Sequence, residues 1–80
     1  MDEADWITLD QLSPGGDGIV RGIDGETSSV RRLMDLGLVP GTRVRHVRQA
    51  PLGDPLEIVV RGMHLSIRRS DAGKVHVEPL

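Results

Sequence analysis

These 80 residues predict a small, mostly β barrel of five short strands, with one short inserted α-helix and a C-terminal helical turn. Three observations point there. Short runs with apolar residues at alternate positions recur through the second half of the chain, turns rich in Pro and Gly separate them, and only residues 30–36 space their apolar side chains as a helix does. A two-stranded ribbon is marginal on its own, so the strands are expected to close, or nearly close, on one another. Trp6 is the only aromatic residue, which leaves Val, Ile, Leu and Met to build the core. A chain of this size buries only about 60% of its unfolded surface, so each of them counts.

Residues 1–7 are expected to form a frayed N-terminal segment, because MDEAD offers little apolar surface to offset the cost of ordering. Residues 8–80 form a single domain, with Trp6 and Ile7 placed to pack over one barrel end. Residues 8–12 are long enough for one helical turn, with Thr8 or Asp10 as its cap and Leu9 and Leu12 pointing inward. Ser13-Pro14-Gly15-Gly16-Asp17 is a turn by composition. The first strand is GIVRGI at 18–23, where Gly22 signals a bulge or a close backbone approach. After the loop Asp24-Gly25-Glu26, Ser28 or Ser29 caps a helix over 30–36. Val30, Leu33, Met34 and Leu36 lie toward one side of it, and Arg31 and Asp35 make an outward i,i+4 pair. So short a helix does not hold in water alone, so its apolar side must dock on the sheet.

The stretch 33–55, LMDLGLVPGTRVRHVRQAPLGDP, carries the densest local instructions. Gly37 stands where a helix hands over to a left-handed residue. Val39-Pro40-Gly41-Thr42 has Pro second and Gly third, the signature of a type II turn. Residues 42–49 then form a strand with Val44 and His46 on one face and Arg43, Arg45 and Val47 on the other. The loop Ala50-Pro51-Leu52-Gly53-Asp54-Pro55 returns the chain, with Pro51 and Gly53 fitting a type I turn. In 56–61, Leu56, Ile58 and Val60 face one way and Val59 the other. Gly62-Met63 closes a hairpin into a strand with Met63, Leu65 and Ile67 inward and His64, Ser66 and Arg68 outward. Residues 69–73 make one helical turn, capped by Ser70 and stopped by Gly73, and 74–78 make the last strand, with Val75 and Val77 inward.

Composition narrows the function. Without cysteine there is no disulfide, no thiolate metal site and no thiol nucleophile. No apolar run is long enough to span a bilayer and the acidic start is no signal peptide, so a cytoplasmic protein is expected. The net charge of −2 conceals a split: residues 1–29 sum to −6, seven acids against Arg21, and residues 30–80 to +4, nine bases against five acids. The basic surplus suits an acidic partner, nucleic acid or lipid headgroups, but mutual neutralisation of the halves within the fold weighs more heavily.

Catalytic motifs are missing, and the chain is not expected to be an enzyme. The three histidines fall on separate strands, with no helical His-x-x-x-His, and no glycine-rich phosphate loop occurs. His64 and His76 read as solvated and His46 as a partly buried core residue. A transition-metal site assembled from two or three of His46, His64 and His76 with Glu57, Glu78 or Asp54 is the competing, weaker expectation. The arginines 43, 45, 48, 61, 68 and 69 would suit phosphates, but the chain lacks the aromatic platforms that single-stranded nucleic acid needs, so no nucleic-acid partner is expected. Leu52 is the sharper feature. At the tip of a Pro-bracketed loop it offers either an apolar knob to a partner or local packing over the barrel rim.

LGLVPGT before a strand, then APLGDP, then a strand and RGMHLSIRRSDAGKVHVEP closely resemble the FeoA family over residues 9–79. The resemblance implies an SH3-like barrel, no required cofactor, and an accessory role in bacterial ferrous iron uptake. That role would be a non-catalytic module on the cytosolic region of a FeoB-type membrane transporter, peripheral to the cytoplasmic membrane face, with self-association open. On the matching motifs it implies Leu38, Pro51, Leu52 and Asp54 as partner-binding candidates, and Gly37, Pro40, Gly41 and Gly53 as residues that shape the turns. Leu36 lies in the same first signature. An aliphatic residue is usual in the family where this chain has His46. The same fold resembles the C-terminal domain of DtxR-type repressors, so a freestanding metal-sensing module is the alternative.

Overall fold

A computed structural model describes residues 5–80. Six strands, β1 (Ile7–Thr8), β2 (Asp17–Ile23), β3 (Arg43–Gln49), β4 (Leu56–Val60), β5 (Met63–Ile67) and β6 (Val75–Pro79), form one antiparallel sheet in the order β1-β6-β2-β3-β4-β5. The sheet packs around a single core and its order stays open, with β1 and β5 as edges, so the expected barrel is not fully closed. The sixth strand lies partly in the segment expected to fray. Ile7 pairs with Val77 and Thr8 with His76, a long-range pairing too short to leave a pattern in sequence. The rest of that segment, residues 1–4, lies outside the described residues.

Alternation sets what each strand buries. In β4, Leu56, Ile58 and Val60 are buried and Glu57 and Val59 are not, and in β6 Val75 and Val77 are buried. A bulge falls between Val20 and Gly22, where the strand glycine signalled one. The single turn at Leu9–Gln11 is 3-10. Gln11 Oε1 accepts the Thr8 N–H at 3.0 Å, and Leu9 and Leu12 both enter the core.

Helix α1 (Thr27–Asp35) starts earlier than expected, with Glu26 rather than a serine at the cap position and no side-chain cap bond. Only Leu33 of its apolar side is fully buried, while Leu36 packs at the core's margin. Arg31 and Asp35 form no ion pair among the described residues; Arg32 instead reaches Asp71. At the helix end Gly37 takes φ 105°, donating to the Met34 carbonyl (2.9 Å), and Leu38 donates to that of Leu33 (3.3 Å). This is a Schellman ending, and only glycine takes such a φ without strain. The expected type II turn follows: Gly41 has φ 93° and Thr42 N–H donates to the Val39 carbonyl at 3.1 Å.

Two details of the C-terminal third differ from expectation. The β4–β5 hairpin turns on Arg61 (φ 52°) and Gly62 (φ 78°), so Met63 is the first strand residue, beyond the core's edge and 55% exposed rather than inward. Helix α2 (Arg69–Ala72) follows Arg68 at the cap position, not Ser70, and Gly73 ends it with an ordinary negative φ.

Candidate functional site

The loop from 50 to 55 is rigid in its base and bare at its tip. Gly53 N–H donates to the Ala50 carbonyl at 2.7 Å, closing the expected turn, and Ala50 N–H donates to that of Pro55 at 3.1 Å. Gly53 has φ 85° and the Asp54–Pro55 bond is cis. A second clamp comes from α2. Asp54 Oδ1 accepts the Arg69 N–H at 3.0 Å, and Arg69 Nη1 donates to the Gly53 carbonyl at 3.3 Å. A carboxylate at the start of a helix satisfies an amide with no partner inside the helix, so Asp54 anchors the loop on α2. That long-range clamp was not visible in the sequence.

Leu52 projects from this clamped base at 96% exposure, and Pro51 beside it is also exposed. A leucine so presented has no packing over the rim. Leu38, the other apolar contact candidate, is fully buried and therefore has no surface to offer a partner. The signal was present: in a Schellman ending the residue after the glycine folds back on the helix, here toward Leu33. Gly37, Pro40, Gly41 and Gly53 sit at helix end and turns as expected.

The histidines do not converge. His46 is fully buried beside Val44 on β3; its Nδ1 lies 2.6 Å from the Leu12 carbonyl oxygen, and its Nε2 has no partner among the described residues. His64 is exposed on β5, and His76 on β6 meets Asp24 Oδ2 through Nε2. Among the described residues no group of three or more His, Asp or Glu is placed to hold a metal ion. The described side chains form no such site.

The expected neutralisation between the two halves of the chain is partial: Asp17 joins them by pairing with Arg43 and Arg45, whereas Arg48–Glu57 and Arg32–Asp71 lie within the basic half. Arg45 Nε and Arg43 Nη2 both donate to the Asp17 carboxylate, at 2.7 and 2.6 Å, and these hydrogen bonds hold it far below the usual carboxylate range. Arg21 meets Glu78, and Arg48 meets Glu57. Asp71, nearly buried, accepts from Arg32 Nη2 at 3.1 Å and Nη1 at 3.3 Å, which lowers its pKa despite burial.

The FeoA domain family matches residues 7–79, almost the whole chain. The chain belongs to the FeoA family. A fusion protein of Fe(2+) transport protein A and the Fe(2+) transporter FeoB from Porphyromonas gingivalis is 31% identical over 72 residues, which are 90% of this chain and only 8% of that relative's length. The solution structure of FeoA from Chlorobium tepidum is 42% identical, covers 92% of this chain and 70% of its own, and superposes with a TM-score of 0.86. The zinc-complexed FeoA of Stenotrophomonas maltophilia, a procaryotic SH3 domain protein, is 32% identical with a TM-score of 0.77, over 89% of this chain and 88% of its own. T. acidophilum IdeR shares the fold alone, at 17% identity and TM-score 0.84, over all of this chain and 37% of that one. FeoA membership places the chain in a ferrous iron transport family, and no helix among the described residues is long and apolar enough to cross a membrane.

Proposed function

We propose that this chain is a non-catalytic accessory module of ferrous iron uptake that docks on the cytosolic region of a FeoB-type transporter, at the cytoplasmic membrane face. The observation that carries the proposal is the Porphyromonas gingivalis relative, in which a segment homologous to 90% of this chain is covalently joined to FeoB. Fusion keeps two modules at high effective concentration, which is useful where the separate chains work by meeting. Leu52 supports the surface: it is an apolar side chain 96% exposed on a loop whose base is already clamped, so little backbone ordering remains when it enters a pocket. Pro51 stiffens the tip beside it, while Asp54 and Gly53 hold the base.

The test is calorimetric titration of the intact protein into the cytosolic domain of the cognate transporter, with and without guanine nucleotide and with ferrous iron present or chelated. Saturable binding lost in Leu52→Glu supports docking through the knob. Binding that Leu52→Glu leaves intact removes the knob from the contact.

The metal-sensing alternative draws on the zinc complex of the Stenotrophomonas relative. It predicts uptake of one transition metal ion per chain in the same titration, with no transporter bound. The separation of His46, His64 and His76 weighs against it.

A further inference from the structure

The loop carrying Leu52 and the hairpin turn at Arg61-Gly62 lie at opposite ends of β4, about 15 Å of strand apart. Around that turn two features coincide that the docking loop does not use. The first is an unpaired edge. Among the described residues β5 has β4 as its single neighbour, and Val60 and Met63 flank a two-residue turn. Residues flanking such a turn form a hydrogen-bonded pair, and bonded pairs alternate along an antiparallel ladder. The N–H and C=O of His64 and Ser66 therefore point away from β4, and no other backbone hydrogen bond among the described residues engages them.

The second is a groove of about 550 Å³ on the outer face of the sheet that runs to this edge. Val47 and Val59 form its floor, and Arg43, Arg45, Arg61 and His64 stand around it with Asp17 as the one acid. Asp17 is already shared between Arg43 and Arg45, so the lining keeps a net charge of +2 with His64 neutral. Arg61 has only a 3.5 Å contact to Thr42 Oγ1. Glu57, the acid of β4, is held by Arg48. From 61 to 69 the chain has three arginines and no acid.

We infer that β5 is a docking edge for an extended acidic peptide, which adds as a seventh strand through His64 and Ser66 and lays its carboxylates over the groove toward Arg61. The charge decides the occupant. A second copy of this chain paired antiparallel about Leu65 would bring Arg61, just before β5, close to Arg68 and Arg69, just after it, and like charges brought together repel. An acidic strand meets those arginines favourably, and its backbone supplies the partners that an exposed edge leaves open.

The test uses the full chain and a fluorescein-labelled peptide of alternating Glu and Val, followed by anisotropy. Saturable binding is expected, weakening as salt rises, with a Lys-Val peptide not bound. Ser66→Pro removes one outward N–H without touching the β4 ladder, and is expected to weaken binding roughly tenfold or more. Arg61→Glu, in the turn, is expected to weaken it similarly, and decides the matter should Ser66→Pro fail to fold. Leu52→Glu should leave peptide binding unchanged, which separates this edge from the transporter-docking knob. No binding, equal binding of the two peptides, binding indifferent to the folded edge variants, or capture by anionic lipid vesicles in place of the peptide each overturns the assignment.

Discussion

The imidazole Nδ1 of His46 lies 2.6 Å from the Leu12 carbonyl oxygen, joining positions 34 apart in sequence inside the core. A carbonyl only accepts, so Nδ1 carries a proton toward it, and Nε2 is buried with no partner among the described residues. The same histidine fixes the turn before β2 through its backbone: Gly15 N–H donates to its carbonyl and its N–H to that of Gly16. This chain thus uses a buried polar side chain as a tie.

Replacing His46 by Ala leaves a cavity and an unsatisfied Leu12 carbonyl, and should cost about 2–4 kcal/mol of stability. His46→Val loses the same hydrogen bond but fills part of the space and removes the orphan nitrogen, so its cost should be roughly half as large. Urea denaturation of the two variants checks the order; equal losses would mean that packing around His46 contributes nothing.

Gly41 offers a test of backbone strain free of crowding. A Cβ at this position meets no atom within 4 Å, yet its φ is 93°. Gly41→Ala should therefore cost about 1–2 kcal/mol from conformation alone, and Gly41→Val distinctly more. A melting temperature for Gly41→Val equal to that of the parent would rule out the type II turn.

Much of this local geometry is legible in sequence because it depends on neighbours in the chain. Gly37 ends the helix, Pro40-Gly41 makes the turn, Gly53 closes the loop, and β4 buries alternate residues, all as composition dictates. What is not legible depends on distant partners. Two residues, Ile7 and Thr8, form an edge strand only because β6 offers them a ladder, and Asp54 becomes a clamp only because α2 begins beside it. Met63 has the right parity to be buried but lies where the hairpin runs past the core. Leu38 misled for a different reason: it belongs to a signature motif, but its position after Gly37 sends it inward.

Acid should expose the Asp71–Arg32 link between α2 and α1. The Arg32 hydrogen bonds hold the Asp71 carboxyl below its ordinary value of 3.8 in the folded state. A depressed folded pKa contributes stability that is present above about pH 4 and is lost as pH falls through the folded value. Asp71→Asn should consequently be less stable than the parent at neutral pH and show a shallower loss below pH 4. Denaturant midpoints at pH 7 and pH 3 measure this, and parallel losses in both proteins would dismiss the link as a contributor.

Leu52→Glu should be nearly silent in the isolated protein, because a side chain 96% exposed has almost no native contact to lose. Its effect on stability should stay within about 0.5 kcal/mol, read from thermal melting. A large drop would show that Leu52 packs within the fold and is no free knob.

Titration of the parent and of Leu52→Glu into the cytosolic domain of the cognate FeoB-type transporter measures docking most directly. Saturable binding by the parent, with Kd at least roughly tenfold weaker for the folded Leu52→Glu variant, is the expected result. Equal affinities would remove Leu52 from the interface, and no binding by the parent under any nucleotide or iron condition would contradict the accessory role itself.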